Sequence, residues 1–193
     1  KDLVVTVGQD GLVANTARYV GAQPIVAVNP DPVRFDGVLL PFGVQKARAA
    51  VEATVASRVK VRQVTLAEAR LKDGQRLLAF NDLFVGAQTH VSARYVLEVG
   101  KQREPQSSSG LLVSTGAGST GWMSSVFNMA AGVARFRGQK DAGKAVKLGW
   151  EDERLLYVVR EPFVSKHSRA DLVAGMVEAK AQLKVESLMP SGG

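Results

Sequence analysis

The chain has 193 residues, of which 46% are hydrophobic and 22% charged, enough for one ordinary domain or two small ones. It has no cysteine, which excludes disulfides and thiolate metal sites. Its net charge of +7 selects anionic partners, but Lys and Arg are scattered and aromatics reach only 6%, so a nucleotide pocket fits better than base stacking along nucleic acid.

Leu3-Val4-Val5-Thr6-Val7 reads as a buried strand running into the turn Gly8-Gln9-Asp10-Gly11, with a helix over about Leu12–Val20 that Gly21 ends. A strand, a glycine turn and a helix leave backbone N–H groups unpaired at the helix N-terminus, where phosphate oxygens can be held. Pro24–Val28 is a second strand, stopped by Asn29-Pro30-Asp31-Pro32. This βαβ order predicts a parallel sheet with ligands at the carboxyl ends of its strands, where Asp10 lies. Val44 to about Ser57 has helical spacing.

Beyond it the pattern changes. Val59–Leu66, Arg76–Val85, Ser92–Val99 and Gly110–Ser114 are short strand candidates separated by turn residues, the pattern of a mostly antiparallel domain. A second glycine turn, Thr115-Gly116-Ala117-Gly118-Ser119-Thr120-Gly121-Trp122, leads into a helix over Ser119–Val133. Arg137–Lys147 reads as an exposed loop, and Arg154–Arg160 and Ala181–Glu186 as further strands. The expected organisation is an α/β domain over 1–58, a β-rich domain over 59–193 and a cleft between them. Both ends read as incomplete: Lys1 already borders a strand pattern, and Ser191-Gly192-Gly193 is a turn followed by nothing.

Three groups of residues carry chemistry. Asp10 is a carboxylate inside the first glycine turn, a position suited to phosphoryl chemistry, where Gly8 and Gly11 let backbone approach phosphates without a Cβ; the plain alternative is an Asp that caps its helix. Asn81 and Asp82 are polar residues in a buried-strand pattern, so their hydrogen bonds need partners: ribose hydroxyls, backbone or water, with a bulge or turn as the alternative. In the second turn, Gly118, Ser119 and Thr120 offer backbone and hydroxyl donors, and Trp122 offers a ring face to a base, with Ser125 one helical turn further on. There the alternative is an ordinary helix cap by Ser119 or Thr120, with Trp122 in the core. The two histidines, His90 and His167, lack metal-ligand spacing, and no metal-binding residues are assigned. Lys101, Arg103, Lys140 and Lys144 read as solvated, with one of them available to screen a triphosphate.

These stretches resemble the NAD kinase family. Its Gly-Gly-Asp-Gly-Thr turn corresponds to Gly8-Gln9-Asp10-Gly11-Leu12, its Asn-Glu pair to Asn81-Asp82, and its Gly-Ser-Thr turn to Gly118-Ser119-Thr120. Val28-Asn29-Pro30-Asp31-Pro32, Ser108-Ser109-Gly110 and Arg160-Glu161-Pro162-Phe163 are similar to the divergent branch that includes the mitochondrial enzymes. Gln9, Leu12, Asp82, Ser109 and Trp122 stand where the family has Gly, Thr, Glu, often Asp, and Tyr. The resemblance implies a small Rossmann-like α/β domain followed by a β-sandwich-like domain. It also implies phosphorylation of the 2′-hydroxyl of NAD's adenosine ribose by ATP. In that scheme Asp10 is the base. Gly11, Asn81, Asp82, Thr120, Trp122 and Ser125 bind NAD, and Gly8, Gly118 and Ser119 bind phosphate.

Mg2+ would arrive with ATP. The partners expected are NAD, ATP and further copies of the chain in a dimer or tetramer, without nucleic acid or membrane. The compartment expected is the cytoplasm, or the mitochondrial matrix for a eukaryotic chain. A related kinase of a lipid or sugar hydroxyl, and a non-catalytic NAD(H)-binding sensor, remain as alternatives.

Overall fold

Val4–Val7 (β1) and Ile25–Asn29 (β2) pair in parallel, and Phe42–Gly43 (β3) joins β2 in the same direction, giving the strand order β1-β2-β3. The computed structural model describes residues 2–139, 143 and 145–190; the expectations placed on Lys1, Lys140, Lys144 and residues 191–193 lie outside them. The chain divides into two compact units, Lys1–Gln63 and Val64–Gly193. Among the described residues no helix is long and apolar enough to cross a membrane.

In the first unit, helices Asp10–Ala17 (α1) and Val44–Val55 (α2) cover opposite faces of β2. Ala27 packs with Val13 of α1 and with Leu40, whereas Val26 and Val28 pack with Ala50 of α2. Burial on both faces is why β2 reads as an unbroken apolar run. The first strand differs from expectation. Val5 and Val7 are 45% and 57% exposed, and Thr6 alone is buried. β1 is an edge among the described strands, with a ladder on one side only. The first helix also begins earlier than its apolar spacing indicates, at Asp10, whose charge suits the positive end of the helix dipole. It ends at Ala17, ahead of the left-handed Gly21 at φ +51°.

The second unit is antiparallel. Ala67–Arg70 (β4) and Arg76–Ala79 (β5) form a hairpin. Asp82–Val85 (β6), Ala93–Val99 (β7), Gln102–Ser108 (β8) and Gly110–Ser114 (β9) follow. After helix Trp122–Phe136 (α3) come Leu155–Arg160 (β10), Ala174–Val177 (β11) and Leu183–Ser187 (β12). They form a four-stranded sheet, β11-β10-β9-β6, and a three-stranded sheet, β12-β7-β8. Tyr95 and Leu97 of β7 meet Leu111 and Val113 of β9 and Tyr157 and Val159 of β10, which makes a sandwich. The alternate residues Leu112, Leu156 and Val158 face the other way and pack on Met123 of α3. Each such side chain, fully buried, contributes about 1.5–3 kcal/mol.

Three expectations are corrected here. Val59–Leu66 has strand-like alternation, yet it is not a strand; the first strand of this unit is β4. Arg76–Val85 is two strands, because the chain bends at Phe80 and Asn81 as it leaves the hairpin for the four-stranded sheet. The helix expected over Ser119–Val133 is a 3-10 turn, Gly118–Thr120, a break at Gly121, and then α3.

The short β3, together with β4, β8 and β11, escaped the sequence. β8 is an edge strand, where Pro105 is tolerated. Its inward residues are the polar Glu104, Gln106 and Ser108, at 4%, 2% and 1% exposure.

Candidate functional site

In the first unit, β1 delivers the chain to Gly8, whose N–H donates to the Val28 carbonyl at 3.2 Å. Gln9 is the N-cap of α1, with no side-chain cap, and Asp10 is the first helical residue. Asp10 therefore does not cap its helix. Its Oδ1 accepts the N–H of Leu39 from the segment between β2 and β3, and its other oxygen has no partner among the described residues. Gly8 and Gly11 lie outside the left-handed region. A Cβ on Gly8 would meet only the end of the Leu12 side chain, at 2.9 Å, and a Cβ on Gly11 would meet nothing within 4 Å. Gly11 thus leaves bare, accessible backbone beside the carboxylate. A hollow of about 720 Å³, lined by Leu3, Tyr19, Pro24, Val55 and Val61, lies at the amino ends of β1 and β2, away from Asp10.

In the second unit, Asn81, Asp82 and the second glycine turn come together through Thr115. Its N–H donates to the Asn81 carbonyl at 2.9 Å, and its hydroxyl donates to the Phe80 carbonyl at 2.6 Å. The same hydroxyl accepts the Gly118 N–H at 3.1 Å. Asn81 is exposed at the bend rather than inside a buried strand, which leaves its amide accessible. Asp82 begins β6 opposite Ser114. One of its carboxylate oxygens is buried without any hydrogen-bond partner. Burial raises the Asp82 pKa above the ordinary carboxylate value, and the neighbouring Ser114 hydroxyl pulls against it. A buried acceptor without a donor is costly, and a ligand hydroxyl would relieve it.

The turn itself is packed. Ser119 is fully buried; its hydroxyl donates to the Gly116 carbonyl at 2.7 Å and accepts the Leu148 N–H at 3.4 Å. Gly118 is buried, whereas Thr120 is exposed, with its hydroxyl on the Ala117 carbonyl at 3.3 Å. Neither Ser119 nor Thr120 caps α3, whose N-cap is Gly121. Trp122 is not a core residue: it is 41% exposed, its ring lies 5.3 Å from that of Phe84, and the Arg160 guanidinium sits 5.4 Å from its centroid. Ser125 is exposed on α3.

His90 and His167 are exposed, as is Lys101, and Arg103 pairs with Glu186 at 2.9 Å on the surface. The described residues gather no group of three or more His, Asp or Glu fit to hold a metal.

Sequence reasoning passed over Ser114, Thr115, Arg160 and Leu39. Thr115 had a signal, a hydroxyl where a buried strand meets a glycine turn. Leu39 had none, because it acts through its backbone.

A parallel α/β unit followed by an antiparallel sandwich defines the architectural class. No protein-family model matches the chain, and neither does any curated protein sequence. Solved structures do match. Yeast NADH kinase, determined with NADH, matches all of this chain at 17% identity with a TM-score of 0.66. An NAD kinase from Archaeoglobus fulgidus, determined with ATP, matches 96% of it at 20% identity with a TM-score of 0.63. The chain spans 49% and 65% of the length of those two proteins. Its fold is that of the NAD kinases.

Proposed function

We propose that this chain carries NAD kinase activity, transferring the γ-phosphoryl group of ATP to the 2′-hydroxyl of NAD's adenosine ribose. The observation that carries it is Asp10: a carboxylate at the carboxyl end of a parallel strand, held by one oxygen and open at the other, beside accessible Gly11 backbone in the NAD kinase fold.

In the reaction the ribose oxygen attacks the γ-phosphorus, the bond to the ADP oxygen breaks, and the hydroxyl proton passes to Asp10. An ordinary carboxylate is a weak base for an alcohol, but in a loose phosphoryl transition state the proton leaves late, so orientation matters most. The orphan oxygen of Asp82 would accept from a ribose hydroxyl, and the exposed Asn81 amide would bond the same nucleotide. Gly8 contributes to the turn that carries Asp10, and Thr120, Trp122 and Ser125 form the accessible rim of the second turn. The buried Gly118 and Ser119 act by fixing the shape of that turn. Magnesium enters as part of the ATP substrate, neutralising its phosphates. Assembly into a homodimer or tetramer belongs to the same proposal and is checked by light scattering.

The test is NADP formation from NAD, ATP and magnesium, beside Asp10→Asn. Turnover reduced about 10²–10⁴-fold by the substitution supports both the activity and the base. Turnover that survives removes Asp10 from that role. NAD bound in calorimetry without turnover points to a sensor instead.

A further inference from the structure

The turn that carries Asp10 is held by a part of the chain far from it in sequence. The donor to its Oδ1 is the Leu39 N–H, twenty-nine residues further on, in a stretch with no regular secondary structure. That stretch takes its shape from Asn29, the last residue of β2, which is 5% exposed. The Asn29 Nδ2 donates to the Phe35 carbonyl at 3.0 Å, and its Oδ1 accepts the Asp31 N–H at 3.0 Å. Asp31 extends the turn by accepting the N–H groups of Val33 and Arg34, each at 3.2 Å.

Gly37 then reverses the chain at φ +68°, and a Cβ there would lie 2.6 Å from the Asn29 Nδ2. The Leu40 N–H donates to the Gly37 carbonyl at 3.0 Å, and the Leu40 side chain is buried with Val13 of α1 and Ala27 of β2. Leu39 therefore lies between two fixed points, the Asn29 amide and the buried Leu40. Its N–H is aimed at Asp10 by both.

We infer that Asn29 is a positioning residue for Asp10. Its amide sets the loop so that the Leu39 N–H holds one carboxylate oxygen and turns the other toward the incoming hydroxyl. Both ends of the amide are used, so neither Asp, which lacks the donor, nor Leu, which lacks donor and acceptor, can replace it. A positioning error of about 1 Å at a reacting group costs up to about 10²-fold in rate. The kinetic consequence rests on the kinase proposal; the anchoring of Asp10 does not.

The experiment has two arms on the full chain. In the first, NMR follows hydrogen exchange of the Leu39 amide in the wild type, Asn29→Asp, Asn29→Leu, Gly37→Ala and Asp10→Ala. Leu39 exchange should accelerate about tenfold or more in all four variants, while β2 amides stay protected. In the second, kcat should fall about 10- to 100-fold in Asn29→Asp and Gly37→Ala with the KM for NAD within about twofold. Val26→Ala, a core change on the α2 side of β2, is the stability control and should leave kcat near wild type.

Unchanged Leu39 protection in the Asn29 and Gly37 variants overturns the inference, as does a kcat loss no larger than that of Val26→Ala. If Asn29→Leu does not fold, Gly37→Ala and Asp10→Ala report the same coupling from its other ends. If the wild type shows no turnover, the kinase proposal falls alone, and the exchange arm still upholds or overturns the anchoring.

Discussion

The carbonyl oxygen of Asn81 occupies the space where Gly118 lacks a side chain: a Cβ there would lie 2.2 Å from it. The second glycine turn and the Asn81–Asp82 bend are thus one packed object, and each gives the other its shape. Gly116 is placed similarly, with a Cβ falling 1.8 Å from the Gly149 carbonyl oxygen. These are backbone atoms, which cannot swing aside as a side-chain tip can. Gly118→Ala and Gly116→Ala should each destabilise the chain by about 3 kcal/mol or prevent folding, read as a lower thermal midpoint. Wild-type stability in either would show that the turn relaxes without cost.

Gly11 should behave in the opposite way. Its missing Cβ faces open space and its backbone is helical, so alanine there costs no strain and can add up to about 1 kcal/mol of helix stability. If phosphate or ribose approaches that bare backbone, Gly11→Ala should raise the substrate KM about tenfold, a 1.4 kcal/mol loss, in a protein at least as stable as wild type. An unchanged KM would remove Gly11 from the binding surface.

Asp82 links the site to stability. Burial raises its pKa in the folded state, so between the ordinary carboxylate pKa and that raised value the native chain binds more protons than the unfolded one. Stability from this group is then present at low pH and is lost as pH rises through the folded pKa. Asp82→Asn removes the charge and should stabilise the chain by about 1 kcal/mol at pH 7, an advantage that shrinks toward pH 4, while weakening NAD binding. Thermal midpoints at several pH values would test it; a destabilised Asp82→Asn at pH 7 would mean that the carboxylate is well paired.

Glu104 does structural work inside the sandwich. It is 4% exposed, accepts the Gln106 amide, and takes the N–H groups of Asp171 and Leu172 at 3.1 Å each. Glu104→Ala would leave those donors buried and unmet, at a cost of about 2–5 kcal/mol. Glu104→Gln keeps an acceptor and should retain most of the stability. Equal losses in urea unfolding would show that charge, rather than the acceptor, is what the segment needs.

Much of the site was legible along the chain. Glycine turns after apolar strands locate Asp10 and the Gly116–Trp122 stretch, and Asn81–Asp82 stands out as polar among apolar neighbours. The strand rhythm gave away β7, with one buried face, and β9 and β10, whose alternate residues face two different cores. β8 was hidden because its inward residues are polar: Glu104 is held by the N–H groups of Asp171 and Leu172, and Ser108 by the Tyr95 hydroxyl and the Gly110 N–H. Val59–Leu66 misled for the opposite reason: alternation records a preference for extended backbone, and a strand exists only where a neighbour supplies the ladder.

What the sequence by itself determined is therefore local: which segments turn, which are apolar on one face or two, and which chemical groups sit at their ends. The tertiary structure decided which of those groups are spent and which remain open. Ser119 and Gly118 are consumed in packing, Asp10 is held through a backbone N–H at Leu39, and Asp82 keeps a buried oxygen without a donor. Each outcome depends on atoms brought in from far along the chain, largely backbone groups whose placement no residue name encodes.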